Sequence, residues 1–235
     1  PAHEGGSAVC PVCGLLTPNF LTPVDGFYEI SNGEELKWFS LFVNTGETTA
    51  NAKLTADIDM AGIDYTPAGR GVVYCGTFDG QGHKISNLII NTPGTQYVGL
   101  IGVVGGGALV LSVVLDSTCE LYGDAFIGVV GGSNGGGDVY IDRVGFEGKA
   151  QGANQNVSGI FGVDMGSGAT PYISNCYIAG GSVKGGRESA TLSGWCGGKG
   201  YVKNCYSIST IEGCDADQPF CRNGVYTNCY YFASQ

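Results

Sequence analysis

The chain contains no run of about 18 consecutive apolar residues, so no stretch of it reads as a membrane-spanning helix. Charge is scarce. Asp, Glu, Lys and Arg together make up 14% of the residues, and acids outnumber bases 21 to 11. The net charge of −10 and a pI near 4.4 would repel the phosphates of nucleic acids and anionic lipids, so neither is an expected partner. Two histidines leave little room for a Ser-His-Asp arrangement, and none is legible. The glycines do not fall at every third position, which excludes collagen. Residues Pro1 to Ser7 lack the basic start and apolar core of a signal peptide. Either such a peptide has been removed or the chain is a piece of a longer protein.

Glycine is abundant, at 42 of 235 residues, against a usual share of about 7%. Hydrophobic residues reach 43% and recur in register, which argues against disorder. Gly99-Leu100-Ile101-Gly102 returns as Gly128-Val129-Val130-Gly131, Gly159-Ile160-Phe161-Gly162, Gly194-Trp195-Cys196-Gly197 and, degenerate, Pro219-Phe220-Cys221-Arg222. Between these runs lies a second apolar set with spacing i, i+3, i+5. It reads Ile85/Leu88/Ile90, Val110/Val113/Leu115, Ile141/Val144/Phe146, Ile173/Cys176/Ile178, Val202/Cys205/Ser207 and Tyr226/Cys229/Tyr231. Self-similarity at roughly 20–50 residues marks a stacked architecture in which no unit buries its apolar face alone.

The pattern predicts an all-β fold, a single-stranded right-handed parallel β-helix with one N-terminal capping α-helix. Residues 1–25 read as an extended, Cys-containing lead-in, 26–51 as a strand and the capping helix, and 52–235 as the repeats. Ser31 or Asn32, each with an acid three positions on, offers the cap; Leu36, Phe39 and Val43 follow at helical spacing. Covering the exposed interior of the first coil gives such a helix a physical role. A leucine-rich repeat would use the asparagines Asn87, Asn175, Asn204 and Asn228, but the leucine framework it needs is missing.

Cys176, Cys205 and Cys229 share one repeat position, and Cys196 and Cys221 share another. Stacked residues lie about 4.8 Å apart, within the Cα separations of about 4.4–6.8 Å that disulfides span. A column of three leaves one thiol unpaired in any arrangement, and cysteine is also a small buried hydrophobe. Cys196–Cys221 is therefore the candidate disulfide.

Phe27-Tyr28-Glu29-Ile30-Ser31-Asn32, Glu35 to Phe39, Ala52 to Asp59, Gly76-Thr77-Phe78-Asp79-Gly80-Gln81-Gly82-His83 and Val98-Gly99-Leu100-Ile101-Gly102 resemble the GLUG-repeat bacterial surface proteins. The match is strongest from about Gly26 to Leu115 and degenerates toward Tyr231. Ile101 stands where the family turn has an aromatic residue. The resemblance implies a pectate-lyase-like β-helix on a secreted or bacterial cell-surface protein, as in adhesins, with no catalytic residues to carry over.

His3, Cys10 and Cys13 form a weak candidate for zinc, three ligands without an evident fourth; no metal or cofactor is expected. Asp57, Asp59, Asp64 and Asp79 do not match a calcium loop and read as surface carboxylates. Asp116, Asp124, Asp138, Asp142 and Asp164 form no acidic column. Tyr177, Tyr206 and Tyr230 each follow a cysteine of the column and should point outward. They read either as a stacking ladder that stiffens the sheet or as a contact surface for sugars or protein. The expected function is that of a non-enzymatic module, in adhesion or as a self-assembling fibre subunit. Its partners would be copies of itself or a host or cell-surface glycan or protein. The alternative, a carbohydrate-active enzyme or glycan-binding module, rests on fold analogy.

Overall fold

The computed structural model describes residues 6–165, 170–213, 220 and 222–232. It is a parallel β-solenoid of about five turns with one helix. Each turn of the chain lays down short strands at fixed positions, and every strand pairs in parallel with its equivalents on adjacent turns. The first face stacks Phe27–Ile30, Asn51–Leu54, Thr77–Asp79, Leu109–Leu111, Val139–Asp142, Pro171–Ser174, the end of Ser193–Lys203, and Arg222–Thr227. The second face stacks Ile58–Asp59, Lys84–Ser86, Val114–Leu115, Gly145–Phe146, the starts of Tyr177–Lys184 and Tyr206–Glu212, and Tyr230–Tyr231. Because Phe27 already pairs with Asn51, the stack takes in Phe27–Ile30, ahead of the Ala52 where the pattern alone placed its start.

Inward columns follow from this register. Ala52, Phe78, Val110, Ile141, Ile173 and Val202 are buried and successive on the first face. Val113, Val144, Cys176 and Cys205 are buried beside the turn to the second face, with Cys229 following. Two expected alignments fail. Leu88 is buried but does not belong to this column; Leu115 pairs with Ile85 and Leu121 with Ile90, which places Leu88 one strand further along, beside Cys119. Asp79-Gly80-Gln81-Gly82-His83 spends two more residues on the corner than the later turns do, so the same spacing marks a different place.

Gly194 is displaced too. Phe161 pairs with Ser193 and Val163 with Trp195, which aligns Gly194 with Gly162, the second glycine of the motif, and Thr191 with the first. Backbone of the adjacent rung approaches closely here. A Cβ on Gly131 would lie 2.7 Å from the carbonyl oxygen of Gly102, and one on Gly194 2.6 Å from that of Gly162. The first position is just as close at Gly99, whose Cβ would lie 2.1 Å from Gly128 O, yet by the Ser193 rung it holds Thr191.

Between the first and second faces the chain turns on one left-handed residue per rung: Ser112, Arg143, Asn175, Asn204 and Asn228, with φ from 50° to 55°. Asparagine tolerates this conformation better than most residues. Here its side chains also form a ladder, Asn228 Nδ2 donating to Asn204 Oδ1 (3.3 Å), Asn204 Nδ2 to Asn175 Oδ1 (3.1 Å) and Asn175 Nδ2 to Asp142 Oδ1 (2.6 Å). Asn87 stands outside the ladder, at a different corner, donating to Asp59 Oδ1 (2.8 Å). Asn204→Ala is expected to cost about 1–2 kcal/mol, from left-handed strain and lost amide bonds. Asn204→Gly should cost less, because it relieves the strain. Urea denaturation of the two variants checks this; equal losses would show that backbone strain plays no part.

The helix Gly33–Asn44 forms as its cap signals dictate. Asn32 Oδ1 accepts from Glu35 N (3.1 Å), and Glu35 Oε2 accepts from Ser31 N (2.6 Å), so both candidate cap residues take part. Leu36, Phe39 and Val43 are buried. Phe39 meets Tyr74 edge-on at 6.3 Å and lies 6.3 Å from Phe78, against the first inner column. Trp38 is buried and donates to Thr17 O (2.7 Å), tying the lead-in to the helix. That makes Trp38 a packing residue.

Candidate functional site

The asparagine corner carries the most distinctive surface. On its first-face side, residues one position before the inward Ile141, Ile173 and Val202 point outward by strand alternation. These are Tyr140, Tyr172 and Tyr201, in direct register. Their rings stack, with centroids 5.0 and 5.3 Å apart and planes within 12°. On the second-face side Tyr177 and Tyr206 stack at 5.5 Å, and Tyr230 follows Tyr206 in register at 70% exposure. The row Tyr177/Tyr206/Tyr230 therefore points outward as its place after each cysteine implies. The second row follows the same rule, since its members recur one residue before the apolar set.

Tyr177 occupies space that its neighbour leaves open. A Cβ on Gly145, its partner one rung earlier, would fall 2.5 Å from the Tyr177 ring. The Tyr177 hydroxyl donates to Glu147 Oε1 (2.8 Å), and burial together with that carboxylate pushes its pKa well above the ordinary phenol value. Tyr177 is thus a fixed, neutral donor. Stacked pairs contribute about 0.5–1.5 kcal/mol each beyond area burial, so the rows stiffen the sheet. They also leave Tyr140, Tyr201, Tyr206, Ile208, Val225 and Tyr230 between 40% and 70% exposed. An exposed apolar patch carrying hydroxyls and flanked by amides has the composition of a contact surface.

At the N-terminal end of this corner lies a notch of about 410 Å³ lined by Asp79, Gln81, Gly82, Ser112, Val114 and Arg143. Arg143 Nε donates to Ser112 Oγ (2.9 Å), and its guanidinium pairs with Asp142. The register also brings together two carboxylates of different residue type. Leu115 pairs with Phe146, so Asp116 and Glu147 are neighbours on adjacent rungs. Each is engaged locally, Asp116 Oδ1 accepting from Thr118 N (2.9 Å) and Glu147 pairing with Lys84 (3.7 Å) besides Tyr177.

Asp57 and Asp59 are exposed on either side of the buried Ile58, although the expected strand from Ala52 to Ile58 is broken into Asn51–Leu54 and Ile58–Asp59. Asp57 accepts from Lys84 N (3.0 Å) and meets His83 Nδ1 at 3.1 Å, and these contacts hold its pKa below the usual carboxylate value. His83 thus has a turn-bracing contact. Cys10 is buried and Cys13 exposed within a tight turn closed by Gly14 N donating to Cys10 O (2.9 Å). His3 lies outside the described residues, as does Cys221 of the candidate disulfide.

No family model matches the chain, and no curated protein matches it. Among solved structures it is similar to a putative immunoglobulin A1 protease from Bacteroides ovatus. The TM-score is 0.62 at 21% identity, over 87% of this chain and 74% of that one. At that identity the likeness establishes the fold, a β-solenoid, and nothing about chemistry.

Proposed function

We propose that this chain is a non-enzymatic module of a secreted or bacterial cell-surface protein that works in adhesion. Its contact surface would be the twin tyrosine face. The observation that carries this reading is the pair of outward tyrosine rows flanking the asparagine ladder. The resemblance to GLUG-repeat surface proteins, in the residues from Gly26 to Leu115, supports the same placement. A rigid comb of phenol edges and hydroxyls repeating about every 5 Å along the solenoid suits an extended partner lying along the axis, a glycan chain or a glycoprotein. The face would bind through many modest contacts, with the rigid rings losing little entropy.

Retention of the purified protein on surfaces coated with mucin, neutral polysaccharide or acidic polysaccharide tests this. Wild type is expected to be held on at least one coating, and Tyr172→Ala with Tyr206→Ala to lower that retention by about tenfold or more, as loss of central aromatic anchors does. Unchanged retention in the folded double variant would remove the tyrosine face from the proposal. Self-assembly is a variant of the same reading, supported by exposed Val225 and Tyr226 on the strand Arg222–Thr227. Sedimentation that stays monomeric at high concentration would count against it.

A carbohydrate-active enzyme is the second reading, and the Asp116 and Glu147 neighbours are the observation that favours it. Hydrolysis of glycosidic bonds uses two carboxylates flanking the scissile bond. A reducing-end assay on the same polysaccharides separates the two. New reducing ends that vanish in Glu147→Gln would favour the enzyme.

A further inference from the structure

Inside the same corner, Cys176, Cys205 and Cys229 stand in one column on three successive rungs, paired through Tyr177 with Tyr206 and Tyr206 with Tyr230. All three are free thiols. They stand close along the column: the Cys205 sulfur accepts from Cys176 N (3.4 Å) and donates to Lys203 O (3.2 Å), and Cys229 follows one rung on in register. Access is unequal. Cys176 and Cys205 are each 1% exposed, whereas Cys229, whose Sγ lies 3.4 Å from Val202 O, is partly open.

We propose that Cys205 and Cys229 form a redox modification site, converted to an inter-rung disulfide by exchange with a small-molecule disulfide or a dithiol oxidoreductase. The thiolate of Cys229, the accessible member, attacks the oxidant RS–SR, forming Cys229–S–SR and releasing RS⁻. Cys205 then gives up its proton and attacks the Cys229 sulfur, forming the Cys205–Cys229 bond and releasing the second RS⁻. In total two protein thiols lose two electrons and two protons, and RS–SR becomes two RSH. The neighbouring Cys176 thiol draws the pKa of Cys205 below the ordinary thiol range, which favours it as the resolving group. Burial pushes Cys229 the other way, so the first step should quicken as pH rises. Neighbouring parallel strands stand about 4.8 Å apart, inside the span of a disulfide. The bond would pin the strand Tyr230–Tyr231, and with it Tyr230 of the tyrosine face, to the rung beneath.

The test treats the protein with oxidised glutathione, blocks remaining thiols with N-ethylmaleimide in denaturant, and maps the peptides by fragmentation mass spectrometry. The expected result is a Cys205–Cys229 link with loss of the two corresponding alkylation sites, independent of protein concentration and unaffected by Cys176→Ser. Cys205→Val, which repeats the valine of earlier rungs, should fold and trap Cys229 as its glutathione adduct. Full alkylation of Cys205 and Cys229, a stable adduct at Cys229 in wild type, or a link from Cys229 to Cys176, Cys214 or Cys221 would overturn the proposal.

Discussion

Replacing Val144 with aspartate is expected to abolish cooperative folding. Val144 is fully buried between Val113 and Cys176 in the column beside the asparagine corner. The corner binds its own polar groups to one another, and the column behind it is lined by valines and thiols. An unpaired carboxylate buried there costs several kcal/mol, a large part of the stability of an ordinary domain. Solenoid rungs are stabilised chiefly by their neighbours, so a break in the middle uncouples the two halves. Circular dichroism during thermal denaturation reads the outcome. A variant that melts like the parent would show that Val144 does not face the interior.

Phe39→Ala should have the next largest effect, about 3–5 kcal/mol, the usual cost of emptying a buried aromatic site. Phe39 is 1% exposed and packs against Tyr74, Phe78 and Tyr28, so it joins the helix to the first three strands of the first face. The loss should be local. Hydrogen exchange is expected to quicken in Asn51–Leu54 and Thr77–Asp79, while Pro171–Ser174 stays protected. Uniform loosening from end to end would contradict a nearest-neighbour stack, and no loss at all would contradict the covering role of the helix.

Much of this architecture was legible because stacking imposes a spacing. From Val113 to Cys229 the repeat position matches the strand register residue for residue, since inward positions cannot slip without exposing a whole column. The errors lie where turns change length. The corner Asp79–His83 is longer than its successors, so Leu88 and Asn87 satisfied the spacing from the wrong strand. Gly194 matched the motif in composition but occupies its second glycine, a distinction that only the strand register shows. The tyrosine row after the cysteines was readable from alternation. Tyr140, Tyr172 and Tyr201 obey the same rule one residue before the apolar set. The Asp116 and Glu147 pairing needed the register itself, because the two residues are of different types and 31 positions apart.

Contact through the tyrosine face is the proposal on which the adhesive reading rests. Hydrogen exchange of the protein held on the coating that retains it, compared with free protein, tests this most directly. Added protection is expected in Val139–Asp142, Pro171–Ser174, Tyr177–Lys184 and the strands that follow them at Tyr201, Tyr206 and Tyr230. Protection confined instead to Ile101–Val104 and Val130–Ser133, on a different face of the solenoid, would contradict it.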